Sequence, residues 1–248
     1  ISALNAITTG DSNTASGYEA LYSNTTGNYN TASGWVALYS NTTGSGNTAS
    51  GMQTLYTNNT GSYNTASGYM GLRSNTTGSY NTASGYRALY ENTTGNRNTA
   101  LGSEALEENT TGNYNTASGF AALNKNETGD NNTATGYYAL RYNTTGSGNT
   151  ASGLRALYEN ETGDNNTASG YLALRNTEGN NNTALGYQAG LLITSGSNNV
   201  IIGSGSDPSA NDATNQIVIG NNATGQGDNS VTLGNADVTA VYMSQDSG

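Results

Sequence analysis

Apolar residues are sparse along this chain, and they recur with a fixed spacing of 17 residues. The first two copies of the repeat read NTASGYEALYSNTTGNY and NTASGWVALYSNTTGSG. Each copy has a glycine after TAS, and a leucine follows that glycine by four residues. The leucine series has ten members: Leu21, Leu38, Leu55, Leu72, Leu89, Leu106, Leu123, Leu140, Leu157 and Leu174.

The length of the repeat predicts the fold class. A unit of this size is too short for a helix pair or a propeller blade, and frequent Gly, Asn and Thr disfavour helix. One unit therefore predicts one coil of an all-β fold, a parallel β-solenoid. In the first coil we expect a strand at residues 14–16, a second strand at 18–22, and a turn at 24–27. Asn and Gly in that turn are expected to adopt backbone angles that other residues avoid.

Stacking places equivalent side chains of successive coils above one another. Coils about 4.8 Å apart give a rod of about 60 Å for some 13 coils. Asn and Thr side chains can then hydrogen-bond along the stack, and Tyr rings can stack on their neighbours.

The predicted core consists of the leucines, the alanines and the residue after the first glycine of each copy. That last series is Tyr18, Trp35, Met52, Tyr69, Tyr86, Phe120, Tyr137, Leu154 and Tyr171. Such a core is thin, because Leu, Ile, Val and Phe make up only 32 of the 248 residues. Since solenoid units need neighbours to bury their apolar faces, we expect chains to pack side by side as an oligomer.

The chain divides into three parts by composition. Residues 1–186 are the array of 17-residue repeats, 187–234 are more hydrophobic terminal repeats, and 235–248 are an exit segment. NNVIIG, NQIVIG and NSVTLG occupy the place of NTASG in the terminal repeats. Alternation there puts Ile217 and Ile219 on one face of a strand and Val218 on the other.

Composition excludes several function classes. The chain has no Cys and no His, which removes thiol and imidazole chemistry and the usual zinc sites. We therefore expect no enzyme, no cofactor and no metal. A net charge of −10 with seven scattered basic residues argues against a nucleic-acid partner. No apolar run is long enough to insert into a membrane.

Two stretches resemble known surface fibres. NQIVIGNNATGQGDNSVTLG, at residues 215–234, resembles the short repeat of trimeric autotransporter adhesin heads. The NTASGYxALxxNTTGxY units resemble arrays in phage tail fibres and bacterial surface fibres, although they are longer than the usual head repeat. The resemblance implies a left-handed β-roll and a homotrimer, intertwined or side by side. It also implies attachment, at the cell surface or on a virion, to a glycan or protein receptor of a host.

The tyrosines five residues after the first glycine are candidates for a glycan-contact row. They are Tyr22, Tyr39, Tyr56, Tyr90 and Tyr158. Tyrosine rings beside amides and hydroxyls suit sugar rings, whereas the simpler interpretation is that they only stack and keep the fibre soluble. A second tyrosine series, Tyr29, Tyr63, Tyr80 and Tyr114, falls in the following turn.

A regular threonine series raises ice binding as a third function. Thr14, Thr31 and Thr48 have the needed regularity. Val and Ile take the same place in the terminal repeats, so we expect these threonines to face inward, which argues against ice.

Other polar motifs have simpler explanations. Asn24 begins a series of Asn-x-Thr sequons, which we expect to form turns and not to carry sugars. Glu104, Glu107 and Glu108 have no basic partner nearby in the sequence and are expected to be a solvated patch. ETGDNN occurs twice, but it lacks the spacing of calcium-binding β-rolls. The sequence thus predicts a structural attachment fibre, with a glycan-binding module as the alternative and ice binding as a weaker one.

Overall fold

The computed structural model describes residues 3–241, which form a parallel β-solenoid with coils of about 17 residues. Each coil contributes one short strand to a single 14-stranded parallel sheet, and the strands follow chain order. Strands pair in register, so that Thr14 lies beside Thr31 and Ala15 beside Ala32. Residues 3–241 contain no helix, and hence none able to cross a membrane. The all-β parallel solenoid predicted by the repeat is confirmed.

Every strand is three residues long. The strands are β1 Thr14–Ser16, β2 Thr31–Ser33, β3 Thr48–Ser50, β4 Thr65–Ser67, β5 Thr82–Ser84, β6 Thr99–Leu101, β7 Thr116–Ser118, β8 Thr133–Thr135, β9 Thr150–Ser152, β10 Thr167–Ser169, β11 Thr183–Leu185, β12 Val200–Ile202, β13 Ile217–Ile219 and β14 Val231–Leu233.

The strands separate one inward side chain from two outward ones. From β2 to β13 the middle residue is buried, whereas the first and third residues are exposed or half-buried. A strand alternates its side chains between its two faces, so Thr and Ser of the TAS strands point out and Ala points into the coil. The predicted alternation of Ile217 and Ile219 against buried Val218 is confirmed.

The segment of residues 18–22 is a turn, and its prediction as a second strand was wrong. Glu19 and Leu21 have φ angles of 50° and 52°, and later coils repeat this at the same places. Left-handed residues do not continue an extended chain. The segment still bonds to the next coil, because the backbone N–H of Leu21 donates to the carbonyl of Ala37 at 3.0 Å. These bonds hold a conformation that costs an L-residue about 1–2 kcal/mol.

The turn at residues 24–27 is present, but unusual backbone angles do not explain it. Asn24 and Gly27 both have negative φ. Instead, the buried Asn24 side chain donates from Nδ2 to the carbonyl of Gly27 at 3.0 Å. A Cβ atom at Gly27 would overlap the carbonyl oxygen of Gly44 in the next coil. The glycine is therefore required by the close approach of the coils.

Leucine and asparagine columns fill the interior. All ten leucines of the repeat are fully buried, at 0% exposure. In the first asparagine column, Asn41 Nδ2 donates to Asn24 Oδ1 at 2.7 Å and to the carbonyl of Gly44 at 2.9 Å. In the second, the backbone N–H of Asn47 donates to Asn30 Oδ1 at 2.9 Å. Buried amides are tolerated because each finds partners in the coils above and below.

The residue after the first glycine lies outside the coil, and its assignment to the core was wrong. Tyr18, Trp35 and Tyr86 are 43%, 45% and 47% exposed. The interior is already filled by Ala20 and Leu21 of each coil and by the asparagine columns, which leave no room for a ring.

The interior changes at the C-terminal end. The coil between Gly170 and Gly186 is one residue shorter than those before it. Thr177 takes the place of the asparagine of the first column, and the next coil has Ile193 there. Ile201 and Val218 replace the strand alanine and are fully buried. In the exit segment residues 235–241 form no strand, and residues 242–248 lie outside the described residues.

Candidate binding surfaces

The five tyrosines predicted as a glycan-contact row are half-buried. The rings of Tyr22, Tyr39 and Tyr56 stack with centroids 5.3 Å apart. Other coils interrupt the row with Arg, Glu or Asn, so Tyr90 and Tyr158 lie apart from the first three. A ring covered on both faces by its neighbours offers a ligand only its edge, which limits this row as a sugar platform.

The residues after the first glycine form a more exposed aromatic row. Tyr69 stacks on Tyr86 with centroids 5.4 Å apart, and Tyr171 stacks on Tyr187 at 5.2 Å. The turn tyrosines are exposed as well, and Tyr29 reaches 72%. The most accessible rings are thus not those predicted as the contact row.

Outward threonines and serines form one face of the sheet along β1 to β11. Thr14, Thr31 and Thr48 point to solvent, so the expectation that they face inward was wrong. The buried position belongs to the middle residue of the strand. Val and Ile at the ends of the later strands therefore also point outward. We call this surface, with Thr first and mostly Ser third in each strand, the Thr–Ser face.

Apolar side chains occupy the same face in the last three strands. We call them the apolar patch: Val200, Ile202, Ile217, Ile219, Val231 and Leu233. The last four are exposed, and the first two are half-buried. Leu185 extends the patch onto β11, at 51% exposure. The composition of the terminal repeats signals these residues, but only the structure puts them on the surface.

Two of the three glutamates near residue 107 have basic partners, which corrects the prediction of an unpaired solvated patch. Arg87 Nη1 lies 2.8 Å from Glu107 Oε1, and Asn124 Nδ2 donates to Glu107 Oε2 at 3.0 Å. Lys125 pairs with Glu108. These partners lie about one coil away in sequence. Burial raises the pKa of Glu107, and the hydrogen bond from Asn124 and the charge of Arg87 only partly oppose it.

Neither the sequons nor the ETGDNN motifs form a ligand site among residues 3–241. The sequon asparagines, from Asn24 to Asn160, are fully buried, so a sugar on Nδ2 would break the first column. Asp130 Oδ1 and Asp164 Oδ1 accept backbone N–H groups of the preceding coil at 2.6 and 2.7 Å. Within the described part of the chain no cluster of three His, Cys, Asp or Glu side chains could hold a metal ion.

Three arginines from consecutive coils meet tyrosine rings beside β8, β9 and β10. The guanidinium of Arg141 lies 4.4 Å from the Tyr138 ring centroid. Arg155 lies 5.3 Å and Arg175 5.8 Å from the Tyr158 ring centroid. A groove of about 690 Å³ opens here, lined by Arg155, Tyr158 and Arg175 among others. We call it the Arg–Tyr groove.

The positive charges around the groove affect the pKa of Tyr158, which lines it. Burial disfavours ionisation of Tyr158, but hydrogen bonds from Tyr142 and Arg141 and the charges of Arg141 and Arg155 outweigh it. The net effect is a lowered pKa of Tyr158 in a protein of overall negative charge. Sequence reasoning missed this cluster because the arginines look scattered until the coils are stacked.

Comparison with known proteins gives no family. The chain matches no family model, and no curated protein is similar to it in sequence.

Proposed function

We propose that the chain is a non-catalytic segment of an extracellular attachment fibre, in which three copies associate and present receptor-binding surfaces at a cell surface or on a virion. The observation that carries the proposal is the apolar patch at one end of a long, regular rod. The resemblance to trimeric adhesin heads supports the number three and a left-handed roll. The lack of Cys and His supports a role without catalysis.

The apolar patch favours association with further copies of this chain. Apolar side chains on three neighbouring strands form one continuous surface, which in a soluble monomer usually marks an interaction site. In a parallel assembly each copy presents the same strands at the same height, so like patches can cover one another. A thin interior of Leu, Ala and Asn gives further reason to bury a second face.

The solution mass of the whole chain tests this proposal. Light scattering over a range of concentrations should give three times 25.4 kDa. The double variant Ile217→Thr/Ile219→Ser, which copies the TAS strands, should shift the mass towards one chain. Leu101→Ser is the matched control, because Leu101 is an isolated apolar residue on the same face. Its mass should not change. A folded single-chain mass for the unaltered protein overturns the trimeric fibre.

The Thr–Ser face supports ice binding as a second candidate function. Its rows repeat about 4.8 Å along the rod, and the outward residues of one strand lie about 6.6 Å apart. These distances are near the oxygen spacings on the faces of an ice crystal. The two functions are incompatible on one face. Association through the apolar patch turns the adjoining Thr–Ser face towards a partner, whereas ice binding requires that face to be exposed to solvent.

Ice-growth inhibition separates the candidates. If the face binds ice, the chain should inhibit ice recrystallisation as a monomer, and Thr116→Lys in the middle of the face should abolish the effect. Tyr114→Lys, on the turn row, is the control and should retain it. Inhibition that survives Thr116→Lys, or that is missing in the unaltered chain, rejects ice binding.

A further inference from the structure

Arg155 lines the Arg–Tyr groove, and Arg141 lies beside it, with Nη1 3.4 Å from the hydroxyls of two lining tyrosines, Tyr142 and Tyr158. Neither arginine has a carboxylate partner within residues 3–241. The ion pairs of this part of the chain involve Arg87, Lys125 and Arg175, the last with Glu159 at 3.2 Å. Arg141 reaches only the hydroxyls of neighbouring tyrosines, at 3.4 Å, and Arg155 contacts ring faces. Tyrosine rings hold both guanidiniums in place. Their Nε atoms are buried without a hydrogen-bond partner in the described structure, so a ligand would meet the terminal nitrogens.

The stacked fold does not require these arginines. Position by position, the coils repeat the residues of the strand, the leucine and the asparagine columns, whereas the second and fifth residues after the first glycine vary. Arg155 stands where the first coil has Glu19, and Arg141 stands where it has Tyr22. Coils with either set stack in the same register. The arginines are therefore free to serve a ligand.

The surroundings narrow the ligand chemistry. A guanidinium binds a carboxylate through two parallel hydrogen bonds, and tyrosine rings present apolar faces and a hydroxyl to a sugar ring. Glu159, Glu161 and Glu178 also line the groove. Their carboxylates repel a polyanion of high charge density but can accept hydrogen bonds from sugar hydroxyls. The groove thus suits a sugar with one carboxylate.

We infer that the Arg–Tyr groove binds a carboxylate-bearing sugar residue of a glycan, with Arg141 and Arg155 holding the carboxylate and the tyrosines contacting the ring. This inference rests on the attachment function proposed above and names the class of its receptor.

The test measures glycan binding by the full chain with calorimetry. The probes are galacturonate against its methyl ester, and sialyllactose against lactose, so that the source of the carboxylate is distinguished. The variants are Arg141→Gln/Arg155→Gln, each single substitution, and Arg97→Gln. Arg97 is the matched control, because it also lies between two tyrosines, Tyr80 and Tyr114, at 5.8 and 5.2 Å.

At least one acidic probe should bind, and its neutral counterpart should bind about tenfold more weakly or worse. The double variant should lose binding by a similar factor or more, whereas Arg97→Gln should bind like the unaltered chain. Circular dichroism shows whether the double variant folds. If it does not, the single variants replace it in the binding measurement. The inference is wrong if neither acid binds, if the neutral probes bind equally well, or if the folded arginine variants retain full affinity.

Light scattering on the same samples separates this inference from the fibre proposal. Absent acid binding with a three-chain mass removes the glycan site and leaves the fibre. Acid binding by a single-chain species removes the trimeric fibre and leaves the glycan site.

Discussion

The array from β1 to β11 and the terminal strands β12 to β14 share one stacking geometry and fill it differently. The array buries a column of asparagines beside its leucines and shows Thr and Ser outside. The terminal coils bury Ile193, Ile201 and Val218, and they show Val, Ile and Leu outside. The same backbone slot accepts an amide or an aliphatic side chain, provided that the neighbouring coils complement it.

The junction between the two regions shows this rule at one residue. Asn160 ends the first column, donating to Asn143 Oδ1 at 3.1 Å. In the next coil the Oγ1 atom of Thr177 is buried and has no hydrogen-bond partner in the described structure. Above it, Ile193 needs none. The column therefore ends through a small side chain with a single unsatisfied hydroxyl.

The largest expected effect comes from placing an aliphatic side chain, like those of the terminal coils, in the asparagine column of the array. In Asn92→Leu, Asn109 Nδ2 loses its acceptor at 2.8 Å, and Asn75 Oδ1 and the carbonyl of Gly95 each lose a donor. Asn75 Oδ1 is then left unsatisfied, which costs about 1–3 kcal/mol. Asn109 Nδ2 keeps the Gly112 carbonyl and the Gly95 carbonyl keeps Asn81 Nδ2, so each loses one bond worth about 0.5–1.5 kcal/mol. We expect a loss of about 2–6 kcal/mol in the free energy of unfolding, measured by urea denaturation.

The control for this substitution lies in the terminal region. Ile193→Leu places the same residue at the equivalent position and should cost less than about 1.5 kcal/mol. Equal losses for Asn92→Leu and Ile193→Leu would show that the asparagine column contributes little beyond its volume.

Glycine substitutions compare the tightness of stacking in the two regions. Gly85 has φ of 137°, and a Cβ there would overlap the carbonyl oxygen of Gly102. Gly220 has φ of 154°, and the atom nearest to a Cβ added there is the Gly234 Cα, at 2.9 Å. We expect Gly85→Ala to cost about 2–3 kcal/mol and Gly220→Ala to cost less, by denaturation midpoint.

Gly71 supplies the reference for these glycines. It stands where other coils have Ala, and a Cβ there would meet only ordinary contacts at 3.7 Å and beyond. Gly71→Ala should raise stability by about 0.4–1 kcal/mol, because it restricts the unfolded chain. A loss here of the size seen at Gly85 would contradict the steric explanation.

The junction itself can be improved. Thr177→Val removes the unsatisfied hydroxyl and keeps the shape of the side chain, so we expect a gain of about 1 kcal/mol. Thermal unfolding measures the gain. Thr54→Val is the contrasting change, because Thr54 Oγ1 donates to the carbonyl of Gly68 at 2.8 Å. It should lose stability, and a gain there would refute the argument from the unpaired group.

The smallest effect concerns pH. Burial raises the pKa of Glu107 above its unfolded value. Its contribution to stability is therefore fully present below the unfolded pKa and is lost as pH rises through the folded pKa. Glu107→Gln should flatten the pH dependence of the unfolding midpoint in that window. Glu127→Gln, at an exposed glutamate outside the ion pairs, should leave the dependence as it was.

Sequence reasoning predicted the fold better than the candidate surfaces. The spacing of glycine and leucine was sufficient for the parallel stack and its register, because coils of one length superpose position by position. It failed at Tyr18 and Thr14, whose directions it reversed, and at residues 18–22, which are not a strand. Periodicity tells which residues share a column, but not on which side of the backbone that column lies.

The sequence by itself determined the one-coil repeat, the columns of identical residues and the change of composition near the C-terminal end. These features follow from the spacing of residues along the chain, which does not depend on the backbone angles. Tertiary structure decided which columns face inward, since that depends on the left-handed residues Glu19 and Leu21. It also brought Arg155 and Arg175 to one groove with Arg141 beside it, and Arg87 to Glu107. Residues a full coil apart become neighbours only when hydrogen bonds between coils fix the stack.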